Sequence, residues 1–444
     1  MTSGLVPTLR RALEDVVAES VRNSIPSGTP RKTYGRVWLP GKATSVIGMR
    51  RTGKTMFVHQ LRHERLRSGV HREHLPYINF EDERLTGLEG RHLGFLLDEY
   101  ARIVPNVPQQ GNVLWSFDEI QVVPGWERFI RRCLDSGAVD VVVSGSSADL
   151  LSREIATSLR GRAWAVPIFP FGFAEYLAHN AITIPTSNGA LTSKTRGVIE
   201  HAFTTWLQHG GMPETLGHDT ATRMQVLRDH VDVVMLRDVV ERHDVSNVHG
   251  LRWLVRHLLG NAGSLFSVEK FHGALKAQGV PIGRDALHSM IGYLEDCFLV
   301  RVVQMESTSE RQRMVNPRKI YPVDQGFIPV FDRSGKSNIG HALETSVLIE
   351  LERRKCVVTY VRTPDGHEVD FLARDPEGNT LLIQVCADAS AADNVQREVR
   401  ALVEAKQLYP HANALLLTRT RDSLPTADVN GITALPAYDW MLGI

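Results

Sequence analysis

Apolar residues recur at helical spacing over Leu9–Arg22, where Leu9, Leu13, Val16, Val17 and Val21 share one face and Thr8 is placed to cap the amino end. The turn-forming run Asn23-Ser-Ile-Pro-Ser-Gly-Thr-Pro30 then reads as a linker. From Thr44 to Leu150 short apolar runs alternate with longer amphipathic stretches, and the runs Ala43–Ile47, Tyr77–Phe80, Val113–Phe117 and Val139–Ser144 predict strands. Such alternation predicts a parallel sheet covered by helices. Phe173–Leu259 reads as mostly helical, interrupted at Gly210-Gly-Met-Pro213. Ser264–Val303 offers helix, turn, helix and strand. Strand patterns return at Val357–Val361, Glu368–Ala373, Leu381–Val385 and Ala414–Thr418.

Length and composition narrow the classes. A chain of 444 residues exceeds one ordinary core, so two to four domains are expected. Its 43% apolar and 23% charged residues are those of a soluble globular protein. Fifty-one basic residues nearly cancel fifty acidic ones, which excludes a uniformly basic nucleic-acid binder and leaves room for a local basic face. The four cysteines, Cys133, Cys297, Cys356 and Cys386, form no Cys-x-x-Cys pair, against a zinc or disulfide framework and in keeping with a reducing cytoplasm. The eighteen histidines contain no His-Glu-x-x-His pair. No apolar run reaches membrane-spanning length and the amino terminus lacks the apolar core of a secretory signal, so a cytoplasmic, membrane-free protein is expected.

One motif changes the picture. Gly48-Met49-Arg50-Arg51-Thr52-Gly53-Lys54-Thr55 fits G-x-x-x-x-G-K-[ST] at every fixed position, with a strand pattern before it and a helical pattern after it. Glycines let backbone N–H groups curl around a phosphate, and the helix amino terminus adds favourable partial charge. Lys54 is expected to reach the β- and γ-phosphates of ATP, and the Thr55 hydroxyl to ligate Mg²⁺.

Val113-Leu-Trp-Ser-Phe-Asp118-Glu119 is an apolar strand ending in two carboxylates. Beside the phosphate loop, Asp118 is expected to hold the metal and Glu119 to act as general base on the attacking water. The next strand ends in Ser144-Gly-Ser146-Ser147, where Ser144 and Ser146 are candidates for sensing the γ-phosphate, in a run that also reads as a serine-rich turn. Arg160 and Arg162 are candidates for stabilising transition-state charge, including in the site of a neighbouring subunit.

These motifs together resemble a family of prokaryotic AAA+-type P-loop ATPases whose carboxyl half is a domain of unknown function. The resemblance runs through almost the whole chain. Besides Gly48–Thr55 its landmarks are Asn79-Phe-Glu-Asp-Glu-Arg84, Phe117-Asp-Glu-Ile-Gln121, Ser144-Gly-Ser-Ser147, Arg160-Gly-Arg162, Pro170-Phe-Gly-Phe-Ala-Glu-Tyr176, Gly210-Gly-Met-Pro213 and Arg237-Asp-Val-Val-Glu-Arg242. It implies an α/β fold with a P-loop NTPase core at 36–170 following a helix and linker at 1–35. It further implies a helical lid at 171–260, a winged-helix segment at 261–335 and, at 336–444, a domain related to restriction-type nucleases. Homo-oligomers are also implied.

Nucleases of the PD-(D/E)-x-K type need two acidic metal ligands and a lysine near the attacking water. Glu344, Glu368 and Asp370 supply acids, whereas the strand that should carry acid, spacer and lysine reads Leu382-Ile-Gln384-Val385-Cys386. Glutamine and cysteine in those places predict a retained fold with a vestigial site (Glu344, Glu368, Asp370, Gln384) and no cutting activity. Ser267–Leu299 has the length of a helix-turn-helix, and Arg301, Arg311, Arg313, Arg318 and Lys319 follow it, suited to neutralising DNA phosphates. The same unit also joins domains, so DNA and a protein partner both stand as expectations. The reading is a Mg-ATP-hydrolysing AAA+-like switch acting on DNA or a DNA-associated partner. Its rivals are an ATP-controlled nuclease and a nucleotide-gated scaffold with negligible turnover.

Overall fold

The first helix, α1 (Pro7–Arg22), buries Leu13, Val16 and Val17 on the face that the apolar spacing predicts. It begins before Thr8: Pro7 occupies the first turn, Val6 stands at the N-cap and no side chain caps it, since proline's fixed φ suits that position and its missing N–H needs no partner. The structure, a computed structural model, describes residues 6–34, 38–105, 113–145, 159, 161–184, 192–332, 338–387, 392–425 and 431–443. The chain divides into two compact units, Met1–Ile168 and Phe169–Ile444.

In the first unit, β1 (Ala43–Ile47), α2 (Lys54–Arg67), β2 (Tyr77–Asn79), α3 (Gly94–Ile103), β3 (Val113–Asp118), α4 (Trp126–Ser136), β4 (Val139–Ser144) and β5 (Ala163–Pro167) follow in order. All five strands are parallel, in the order β2-β3-β4-β1-β5. Every residue of β3 is buried, as expected of a parallel strand covered on both faces. Leu114 packs with Phe57, Val58 and Leu61 of α2. On the other face Trp115 meets Tyr100 of α3 edge-on at 5.1 Å, and Phe117 meets Phe129 of α4 at 5.6 Å. The run Asn23–Pro30 has no regular structure, yet it is not a free linker: Ile25 packs against the core beneath α2, and the Pro26 carbonyl lies 3.2 Å from His63 Nε2.

The second unit opens with α5 (Phe173–His179), α6 (Ser193–His209) and α7 (Thr220–Val233); a π-helical stretch, Val234–Val240, continues from α7, and α8 (Val248–Gly260) follows. Next come β6 (Leu265–Phe266), α9 (Val268–Ala277), α10 (Arg284–Asp296), β7 (Val300–Val303), α11 (Glu310–Val315) and β8 (Arg318–Pro322), whose strands form an antiparallel sheet β6-β8-β7. A separate carboxyl-terminal sheet is flanked by α12 (Ile339–Arg353) and α13 (Ala392–Leu408). Its strands are β9 (Val357–Arg362), β10 (Glu368–Arg374), β11 (Thr380–Cys386), β12 (Asn413–Thr418) and β13 (Thr433–Pro436), in sequential order, antiparallel through β11 and parallel beyond. The chain is thus α/β, a parallel P-loop core with a distinct carboxyl-terminal sheet domain. Among the described residues no helix is long and apolar enough to cross a membrane.

Candidate functional site

Parallel strands aim their carboxyl ends the same way, so the residues just past β1, β2, β3 and β4 gather at one edge of the sheet. Gly48 follows β1 with φ +145, and a Cβ there would overlap the Ile168 carbonyl oxygen; only glycine fits. Arg51 and Gly53 also take positive φ, 67° and 92°, which curls residues 48–55 into a loop that ends where α2 begins. Met49 and Thr52 point inward, fully buried, and Thr52 Oγ1 donates to the Met49 carbonyl at 2.9 Å. Lys54 is buried, its Nζ donating to that carbonyl at 3.1 Å. Arg50 turns away, Nη1 standing 3.7 Å from Glu81.

Asp118, 1% exposed at the end of β3, is the hub. Its Oδ2 accepts from Thr55 Oγ1 at 2.7 Å and from the Tyr77 hydroxyl at 2.7 Å, and its Oδ1 accepts from Ser144 Oγ. A hydroxyl and a carboxylate this close are hard oxygen donors of the kind Mg²⁺ takes together with substrate phosphates and water. The donor set therefore fits Mg²⁺ at Thr55 and Asp118. Ser144, expected as a phosphate sensor, is buried; its hydroxyl donates to Asp118 and accepts from the Glu119 backbone N–H at 3.3 Å.

Glu119 leaves the strand in the left-handed region, φ 52°. Burial pushes its carboxyl above the ordinary range, the positive charge of Lys54 and the donation from Gln121 Nε2 opposing. Ser146, Ser147 and Arg160 lie outside the described residues. Arg162 immediately precedes β5 and its carbonyl accepts from the Ala43 N–H at 2.8 Å, at the sheet edge opposite the phosphate loop; its guanidinium pairs with Asp135. It does not join the site of its own chain.

Two contributors escape sequence reasoning. Arg31, 7% exposed, donates from Nη1 to the Thr52 carbonyl at 2.7 Å and is clamped by Gln60, which accepts from its N–H at 2.7 Å and donates to its carbonyl at 3.1 Å. No motif marks it, because it braces the loop from a stretch that composition marks only as turn-rich. Tyr77 sits on a predicted strand, but only strand pairing reveals that its hydroxyl reaches Asp118.

In the second unit the acids singled out from the sequence do converge, and around a lysine. Lys319 of β8, 3% exposed, lies 3.0 Å from Glu344 of α12, 2.8 Å from Glu368 and 3.0 Å from Asp370 of β10. This corrects two expectations. Lys319 is not a surface cation for DNA, and the charge missing from β11 is supplied from β8. Arg301 is likewise taken, by Glu352 at 2.7 Å. Asp370 lies where the β9–β10 register shifts, between Val369 and Leu372, and accepts from the Val385 N–H at 3.0 Å. Gln384 accepts from the Asp370 N–H at 3.2 Å and donates to Glu398 at 2.6 Å. The Tyr321 hydroxyl donates to Glu344 at 2.6 Å, and burial, then Asp370, pushes the Glu344 carboxyl up to about 7. A cavity of about 600 Å³ opens beside these residues. Among the described residues no group of three or more His, Cys, Asp or Glu side chains is placed to hold a metal ion.

The family described as an AAA domain matches residues 40–177, and a domain of unknown function (DUF8612) matches residues 200–335. An uncharacterized protein of Methanocaldococcus jannaschii, MJ1544, is 31% identical over 420 residues, covering 91% of this chain and 89% of that protein. An uncharacterized protein of Haemophilus influenzae is 27% identical over 417 residues, covering 93% and 98%. Among solved structures, a Walker-type ATPase of Pyrococcus abyssi gives a TM-score of 0.37 at 13% identity over 72% of this chain and 95% of that one. At 31% identity over nearly its whole length, this chain belongs to the family of the Methanocaldococcus protein, and an AAA domain spans its phosphate loop and acidic strand end.

Proposed function

We propose that the chain binds Mg-ATP in the 48–55 loop and hydrolyses it. The observation that carries the reading is the meeting of Thr55, Ser144 and Tyr77 on Asp118, with Glu119 next in sequence. Backbone N–H groups of the loop and the Lys54 ammonium bind the phosphates, and Arg31 keeps the loop in shape. Thr55 and Asp118 would hold Mg²⁺, which when bound would supply neutralising charge to the phosphates. Glu119 takes a proton from the attacking water as its oxygen bonds to the γ-phosphorus, and the bond to the β-phosphate oxygen breaks to leave ADP. A carboxyl raised by burial is a stronger base than an exposed one, which suits this role. Lys54→Ala is expected to abolish ATP binding; Glu119→Gln is expected to keep binding and lower phosphate release by about 10²-fold or more. Undiminished release from the second variant overturns the assignment of the base.

The partner reading is a nucleotide-driven switch on DNA or a DNA-associated protein. The chemistry that favours DNA lies in the second unit, in a cavity of about 950 Å³ lined by Arg228, Arg256 and Lys270 together with Trp253, which is 39% exposed. Cations beside an accessible indole suit a nucleic-acid backbone and a stacked base, with Asp232 and Asp332 setting a limit on the charge. A shift of labelled DNA that weakens steeply with salt is expected; a salt-insensitive shift, or none, favours the protein partner. Glutamine and cysteine stand at 384 and 386, where the acid and lysine of that strand would be needed, so the carboxyl-terminal domain is assigned no metal-dependent cleavage. Cutting of duplex DNA in Mg²⁺ or Mn²⁺, abolished by Asp370→Ala, overturns that assignment. A rate per subunit that rises with protein concentration would indicate a site shared between subunits, for which Arg160 and Arg162 are the candidates.

A further inference from the structure

In the second unit α8 has two faces of opposite character. Leu251, Leu254, Val255 and Leu258 are buried, whereas His249, Arg252, Trp253 and Arg256 recur at i, i+3, i+4 and i+7 on the exposed side. Trp253 Nε1 donates to His249 Nε2 at 3.0 Å, so an indole that is 39% exposed is held in place with its polar atom satisfied. It lines the cavity of about 950 Å³, together with Phe266 and Phe271, whose rings lie 5.5 Å apart and both pack on His257. Three exposed cations line the same cavity, Arg228 of α7, Arg256 of α8 and Lys270 of α9.

These cations are uncommitted. Among the described residues none of Arg228, Arg252, Arg256 and Lys270 forms an ion pair or donates a side-chain hydrogen bond. The acids that line the cavity are Asp232 and Asp332, and Asp332 already accepts from Asn338. The helix that would enter a major groove, if the helix-turn-helix expected over Ser267–Leu299 docked on duplex DNA, is α10. Its charge is wrong for that. Arg284, the single Lys or Arg of α10, is taken by Glu269 at 2.6 Å, and the helix exposes Asp285 and Asp296. Free positive charge and an accessible ring therefore lie on α7, α8 and α9, around a concavity, and not on the helix suited to a groove.

We propose that this surface binds single-stranded rather than duplex DNA, with one base stacked on Trp253 and the adjoining phosphates met by Arg252, Arg256, Arg228 and Lys270. The inference rests on the nucleic-acid reading of the cavity and narrows it to a strand without its complement. A base inside a duplex has both faces covered by its neighbours and must be unstacked before it can lie on an indole, whereas a single strand offers its bases at little cost. Arg252 and Arg256 stand one helical turn apart, near the spacing of consecutive phosphates along an extended strand. Every base has a π-face, so stacking on one indole carries little sequence preference. The ATPase site plays no part in this contact.

The test uses full-length protein without nucleotide, so that hydrolysis does not enter. Fluorescence anisotropy follows binding of a labelled mixed-sequence oligodeoxynucleotide, its duplex and the RNA of the same sequence, over a series of salt concentrations. The single DNA strand is expected to bind about tenfold or more tightly than the duplex. Trp253→Ala is expected to weaken single-strand binding about tenfold, the loss of one stacked base, with the melting temperature unchanged. Trp253→Phe, which keeps an aromatic face, should retain most of the affinity. Arg256→Gln should lower the slope of log affinity against log salt by about 0.7, one phosphate contact on a single strand. Duplex binding as tight as that of the single strand overturns the proposal and leaves the DNA reading standing, as does full single-strand affinity in Trp253→Ala. Tighter binding of the RNA overturns the choice of DNA. Failure of both DNA forms to bind sinks the DNA reading together with the proposal.

Discussion

Replacing Lys319 by methionine tests the carboxyl-terminal cluster. The ammonium is 3% exposed and faces Glu344, Glu368 and Asp370 at 2.8–3.0 Å. Methionine fills much of the same volume, so the loss is chiefly one of charge. Breaking a buried pair by removing one partner costs about 3–5 kcal/mol, because the remaining charge is stranded. Glu368 is about a third exposed and is screened, so the lower end, about 3 kcal/mol once both carboxylates are ionised, is expected. The penalty should depend on pH with a definite sign. Without the ammonium, less opposes the burial of Glu344 and its repulsion by Asp370, and its folded-state carboxyl rises further above the unfolded value. Groups with raised folded pKa lose stability as pH climbs through the folded value. Glu344 stands at about 7 even with Lys319 present, so the gap between variant and wild type should be small at pH 5, open above about pH 7 and be full only above the variant's higher folded value. Urea unfolding at pH 5 and pH 8, followed by a probe in the second unit, measures it. A gap below about 1 kcal/mol at pH 8, or an equal gap at pH 5, refutes the reasoning.

Other outcomes follow from the first unit. If Glu119 is the base, its raised carboxyl places the acid limb of the ATPase pH profile above the usual carboxylate range of about 4.5, and that limb should vanish with Glu119→Gln. His59, depressed from 6.5 to about 4, contributes stability that is complete above pH 6.5 and lost as pH falls towards 4, about 3 kcal/mol at most; His59→Phe should flatten the stability–pH curve in that window. Gly48→Ala combines a positive φ with overlap of the Ile168 carbonyl oxygen, and urea unfolding should register a loss of about 1–3 kcal/mol together with weakened ATP binding.

Much of this was legible in order along the chain. The four strands expected around the phosphate loop emerge within a residue or so of their limits, because an apolar run between turn formers has few other ways to bury itself, whereas β5 was not among those expected. The loop's glycines and the two carboxylates after β3 were legible because phosphate chemistry restricts which residues serve at fixed spacing. Thr8 misled because Pro7 competes for the same helix end and needs no cap. The basic run after α10 misled for another reason. Arg301 and Lys319 look like surface cations in a polar context, yet Lys319 lies on a strand whose neighbour in space is β10, far along the chain.

By itself, then, the sequence determined what is local: which runs are strands and helices, where a phosphate can be cradled, and which acids end a strand. Periodicity, turn chemistry and a contiguous eight-residue loop are properties of neighbours along the chain. Tertiary structure alone decided the rest. It brought Tyr77 and Ser144 to Asp118, Arg31 to the back of the loop, and Lys319 into the carboxylates. The reason is that a charge or hydroxyl is assigned its role by whatever folding places within about 3 Å of it, and residues that distant in sequence leave no periodic trace of the meeting.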